Sequence, residues 1–117
     1  MKHIVGAADM LVSDTQGDSI VTYSLGSCIG LVIYDLEIKA GGILHFMLPD
    51  SSIDKEKALV NPCMFADTGV PYFLEKIFQL GVQKERMKIF AAGGSQIINQ
   101  NDSFNIGLQN YNALIKA

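Results

Sequence analysis

Cys28, His45 and Thr22 are the side chains in this 117-residue chain whose types and spacing suit acyl transfer. A nucleophilic thiol needs a base to deprotonate it, a group that orients the base, and hydrogen-bond donors for the oxyanion that forms. Cys28 stands in "LGSC", after Gly26 and Ser27 and ahead of a β-branched run. His45 lies inside a later apolar stretch, where a neighbouring strand would present it to the same site, whereas His3 sits near the start of the chain. Thr22 precedes Cys28 on the polar face of its own stretch, so its hydroxyl is placed to accept from the far ring nitrogen of His45 and fix the tautomer. The backbone N–H groups of Cys28, Ser27 and Gly26 are candidates for an oxyanion hole, because glycine permits a close approach to substrate. An imidazolium beside the thiol would lower its pKa. Each residue also has a plainer reading: a small hydrophobe at a strand start, a satisfied core histidine, and a common strand threonine.

The elements that must position these groups follow from periodicity. "KHIVGAADMLVS" reads as a strand running into a turn, and "DTQGD" as a loop. "SIVTYSL" alternates, with Ile20, Thr22 and Ser24 on one face. "SCIGLVIYD" is a strand in which Gly30 marks a bulge or a close backbone approach. "GILHFMLPD" is a third strand, apolar on both faces and ended by Pro49. The charged "SSIDKEKALVN" reads as a mobile surface loop. "NPCMFADTGVPYFLEKIFQLG" carries helical spacing, with Phe73, Ile77 and Leu80 on one face, Leu74 and Phe78 beside it, and Gly81 as the stop. Pro71 requires either a kink or a helix beginning near Val70. "ERMKIFAAGG" gives a fourth strand, "SQIINQNDS" a polar loop, and "NIGLQNYNALIKA" a closing helix with Asn105 as its N-cap. Three strands before the first helix favour an α+β layered sandwich with a mixed, largely antiparallel sheet.

Composition narrows the function classes. With 49% hydrophobic residues the chain suits a single domain, 1–117, that buries its own core without disulfides or a structural metal. Lys and Arg number 9 against 12 Asp and Glu, with no basic block, which argues against a nucleic-acid partner. The apolar runs are too short for membrane insertion, and no secretory leader opens the chain, so the expected location is cytoplasmic. Cys28 and Cys63 are then expected to be free thiols, Cys63 incidental in a flexible-looking segment. No metal-ligand spacing is present, and no cofactor is implied. "AAGG" lacks the Lys-Ser/Thr of a phosphate loop and reads as a strand-ending turn.

In order, "VTYSLGSCIGLVIYD", "GGILHFMLPDS", "FADT", "AAGGS" and "NIGLQN" resemble the motifs of the CheD chemoreceptor glutamine deamidases, from Ile4 to about Leu114. The resemblance implies a three-layer α/β/α sandwich similar to the catalytic domain of deamidating bacterial toxins. It implies that Cys28 is the nucleophile, His45 the base and Thr22 its orienting group. It further implies that receptor glutamines become glutamates through a thioester, that the same cycle cleaves glutamyl methyl esters, and that the substrate is the cytoplasmic domain of a methyl-accepting chemotaxis receptor. A CheC-type phosphatase is the implied partner, with docking expected over 97–110 and on Ile97, Ile98 and Asn105.

Two departures from the family pattern are Pro71 and the end at Ala117, where family members continue with further strand material; the C-terminal part of the family domain is therefore expected to be missing. The competing reading is a non-catalytic regulator that binds and stimulates the phosphatase. A metal hydrolase built on Cys28, His45 and a carboxylate has no spacing to support it.

Overall fold

The computed structural model describes residues 2–23 and 25–93. Their chain order is β1 (Lys2–Val5), β2 (Asp9–Ser13), β3 (Ser19–Thr22), β4 (Ile29–Asp35), β5 (Ala40–Phe46), α1 (Lys55–Val60), α2 (Ala66–Gln79) and β6 (Lys88–Gly93), with single 3-10 turns at Ser51–Ile53 and Pro62–Met64. β2, β5, β4 and β6 form an antiparallel sheet in that order, and β1 pairs with β3 as a separate parallel ribbon. Parallel neighbours need a long crossover, and β2 supplies it by joining the large sheet between the two ribbon strands. The α+β class and the largely antiparallel sheet expected from the sequence are found.

Alternation along β4 and β5 gives the sheet two distinct faces. Ile29, Leu31, Ile33, Leu44 and Phe46 point to one, where α2 covers them with Ala66, Val70, Phe73 and Ile77. Gly42 lets Phe73 lie against the sheet, since a Cβ there would come within 3.0 Å of the Phe73 ring. Gly30, Val32, Ile43 and His45 point to the other face. There the ribbon lies over the Gly30 end, because Thr22 and Leu25 side-chain carbons fill the space a Cβ at Gly30 would enter. The closing helix expected at residues 105–117 lies outside the described residues.

Four expectations about elements are corrected. The opening segment forms two strands, β1 and β2, separated by Gly6–Ala8, with Ala8 at φ 57. β3 stops at Thr22, short of the expected Leu25. The charged stretch after Pro49 is an ordered turn and helix, because Asp50 caps the turn through Ser52 N and Asp54 caps α1 through Lys57 N. Of the two arrangements open at Pro71, the start near Val70 is overturned: α2 starts at Ala66 and runs through Pro71, which forgoes one intrahelical bond in the second turn. At its other end Gly81 takes φ 98 as the expected stop, while Phe78 is exposed instead of lying beside the buried face.

The remaining motifs lock the segment after β5 to α2. Met47 N and Leu48 N both donate to Met64 O, and Ala66 N donates to Leu48 O. Asp67 of "FADT" accepts from Ser51 N at 2.9 Å and Ser51 Oγ at 2.6 Å, while Thr68 Oγ1 donates to Pro62 O. At the far end of the sheet Asp35, 1% exposed, accepts from Arg86 Nε at 2.9 Å and lies 2.8 Å from its NH2 group. This ion pair ties β4 to the connection between α2 and β6.

Candidate active site

His45 sits in β5 in a row of paired residues that runs Asp9, His45, Gly30, Ala92 across four strands. It is 2% exposed. A buried imidazole must find partners on both nitrogens or leave one unsatisfied. Nδ1 lies 2.9 Å from Thr22 Oγ1, and Thr22 Oγ1 donates to Val5 O at 2.7 Å. A carbonyl can only accept, so the single hydroxyl proton of Thr22 is spent on Val5. Toward His45 the hydroxyl offers only lone pairs; Nδ1 therefore carries the proton, and Nε2 is left as a bare lone pair. Nε2 has no hydrogen-bond partner among the described residues. Burial also pushes the His45 pKa down, which keeps the ring neutral.

Cys28 ends a tight turn. Its N–H donates to Leu25 O at 2.7 Å, and Gly26, second in that turn, takes φ 51, a left-handed conformation that favours glycine. The sequence raised Cys28 N–H as an oxyanion donor; in this conformation that N–H is committed to Leu25, while Gly26 is exposed and Ser27 half-buried. Cys28 directly precedes β4 and stands two positions before Gly30, the partner of His45. The thiol is half-buried, and no hydrogen bond joins it to Nε2.

The electrostatics differ from the sequence-based expectation. Burial pushes the Cys28 thiol up, not down, and the His45 imidazole down, so both groups are biased toward their neutral forms. Cys63 is not in a flexible segment: it is buried in the turn before α2, and burial together with the Asp9 carboxylate pushes its thiol up to about 11. Both cysteines are free, as expected. No cluster of three or more His, Cys, Asp or Glu side chains suited to a metal occurs among the described residues.

Some residues of the site escaped the sequence reading. Val5 contributes only a backbone carbonyl, which has no signature in the sequence. Gly93, the first glycine of the "AAGG" pair, lies against the Cys28 carbonyl and the Leu25 Cβ, with no room for a side chain; the paired glycines were the available signal. Gly30 proves to be a close approach, not a bulge, since the register from Ile29 to Asp35 is unbroken. A separate groove of about 320 Å³, lined by residues such as Ser13, Ile20, Tyr34 and Lys39, lies at the Asp35 end of the same face and contains none of Thr22, Cys28 or His45. Ile97, Ile98 and Asn105 lie outside the described residues.

Comparison with known proteins identifies the family. The family described as CheD chemotactic sensory transduction matches residues 47–117. The chain is 50% identical to "Probable chemoreceptor glutamine deamidase CheD 1" of Syntrophus aciditrophicus over 92% of its own length and 67% of that protein's. The chain belongs to the CheD family. A second CheD relative, the "Probable chemoreceptor glutamine deamidase CheD" of Solibacter usitatus, is 47% identical over 97% of this chain and 67% of its own. The "Chemoreceptor glutamine deamidase CheD" of Bacillus licheniformis is 40% identical over 96% and 67% respectively. The chain thus spans about two-thirds of the length of these CheD proteins. No helix among the described residues is long and apolar enough to cross a membrane.

Proposed function

We propose that this chain is a chemoreceptor glutamine deamidase, a hydrolase that turns receptor glutamine side chains into glutamate with Cys28 as nucleophile, His45 as base and Thr22 as the group that orients it. The observation that carries the assignment of roles is the buried His45 ring, held through Nδ1 by Thr22 with Nε2 unpartnered. The relatives named as chemoreceptor glutamine deamidases support the activity.

Attack of Sγ on the side-chain amide carbon forms a C–S bond while Nε2 takes the thiol proton. Donors in the "LGSC" turn, at Gly26 and Ser27, hold the oxyanion. Collapse of the adduct breaks the C–N bond, and the imidazolium returns its proton to the departing ammonia. Water deprotonated by His45 then cleaves the thioester, restoring the thiol and leaving a carboxylate. With methanol as leaving group the same cycle hydrolyses a glutamyl methyl ester.

The substrate is the cytoplasmic domain of a methyl-accepting chemotaxis receptor, and the enzyme works in the cytoplasm without membrane insertion. A CheC-type phosphatase is its proposed regulatory partner. Ammonia release from a receptor cytoplasmic fragment tests the chemistry. Cys28→Ala is expected to abolish it, and unchanged release would overturn the assignment. Loss of phosphatase stimulation on substitution of Ile97 or Ile98 tests the partner surface separately.

A further inference from the structure

We infer that the N-terminal strand β1 is part of the base-positioning apparatus: the Val5 carbonyl, by accepting the Thr22 hydroxyl hydrogen bond, selects the His45 tautomer that leaves Nε2 free. The inference rests on the reading of His45 as the base and concerns what holds it in that state.

A threonine hydroxyl rotates freely and can donate or accept, so alone it fits either tautomer of a neighbouring imidazole. If its proton pointed at Nδ1, the ring proton would sit on Nε2 and the ring could not accept from a thiol. The choice is removed by a third group. Val5 O lies 2.7 Å from Thr22 Oγ1 and can only accept, which fixes the direction of the whole relay from Nδ1 through the hydroxyl to the carbonyl.

The carbonyl is itself fixed. Val5 is 2% exposed and pairs with Thr22 at the end of the parallel ladder Lys2 to Ser19, His3 to Ile20, Ile4 to Val21. At the other end of β1, His3 Nε2 lies 3.1 Å from Asp18 Oδ2, which also accepts from Ser13 Oγ. β1 is thus held at both ends, and the residue nearest the site contributes main chain, not side chain. Val5 is a positioning residue acting through Thr22.

The test weakens the carbonyl without altering any side chain. A synthetic peptide of residues 1–27 joined at Cys28 to the expressed remainder regenerates the native sequence, and 15N-histidine in the expressed part labels His45 but not His3. Replacing the Val5–Gly6 amide by an ester makes Val5 O a poorer acceptor; an ester one link later serves as the control. The expected result is a 15N spectrum of Nδ1–H, Nε2-bare imidazole in the native chain, a growing Nε2–H fraction in the Val5 ester, and a kcat about threefold to tenfold lower with KM unchanged, the size of one net hydrogen bond. An Nε2–H ring in the native chain, or an ester that moves neither tautomer nor kcat, overturns the proposal. If the ester chain fails to refold, the native spectrum alone decides between the two tautomers. A chain that shows the Nδ1–H ring but releases no ammonia refutes the deamidase reading and leaves the relay standing.

Discussion

Gly93, at the end of β6, lies so close to the carbonyl of Cys28 that the backbone at Cys28 and the edge strand share one packed contact. Gly93 also takes φ 101, a region that side chains disfavour. Gly93→Ala is therefore expected to lower stability by about 1–3 kcal/mol from strain alone. Because Leu25 and Cys28 must shift to admit the methyl group, activity is expected to fall further than the loss of folded protein explains. Thermal denaturation alongside ammonia release checks this, and full activity in a stable variant would show that the contact is slack.

The two thiols should differ sharply toward iodoacetamide. Cys28 is half-buried and Cys63 buried with its thiol pushed up to about 11, so Cys28 reacts first and Cys63 only once the chain unfolds. Since burial raises Cys28 as well, its alkylation should accelerate about tenfold per pH unit from neutrality upward, with no plateau near pH 7. Mass spectrometry of timed samples reads both rates, and a plateau below pH 7 would mean a preformed thiolate.

His45 is pushed down by burial, so its folded value lies below the unfolded one near ~6.5. A depressed group contributes stability above its unfolded pKa and loses it as pH falls through the folded value. The melting temperature should therefore drop as pH is lowered below ~6.5, less steeply in His45→Gln. The acid limb of kcat/KM should likewise fall below ~6.5. An acid limb above neutrality would contradict the buried neutral base.

The Arg86 guanidinium beside Asp35 holds that carboxyl below the usual carboxylate range. Its contribution is thus present above the unfolded value near ~4 and fades as pH falls through the folded value. Arg86→Gln should melt at a lower temperature than the native chain at pH 7, and the gap should narrow in acid. A gap that stays constant to pH 2 would assign the loss to packing rather than charge.

The sheet was legible because β4 and β5 are long apolar runs and Thr22 falls on the polar side of an alternating one. The break between β1 and β2 was not, since Gly-Ala-Ala carries few of the polar residues that usually mark a turn. α1 was missed because its stability is local: it rests on the Asp54 cap, buries no residue, and so shows no apolar stripe. Cys63 looked exposed beside Asn61 and Pro62, yet those residues form the turn that folds it inward, with Asn61 Oδ1 accepting from Cys63 N. At the site, the pairing of Thr22 with His45 follows from side-chain types, whereas the engaged Cys28 N–H and the Val5 carbonyl are main-chain facts that any residue would present alike.

The placement of His45 at the middle of a four-strand row has a mechanical result. The backbone of His45 cannot shift without dragging β5 past both neighbours, and burial and Thr22 hold the ring itself. The thiol, by contrast, belongs to a loop corner in which Gly26 is exposed and Cys28 half-buried. A backbone change at that corner, such as Gly26→Ala at φ 51, is therefore expected to move the sulfur while the ring keeps its place.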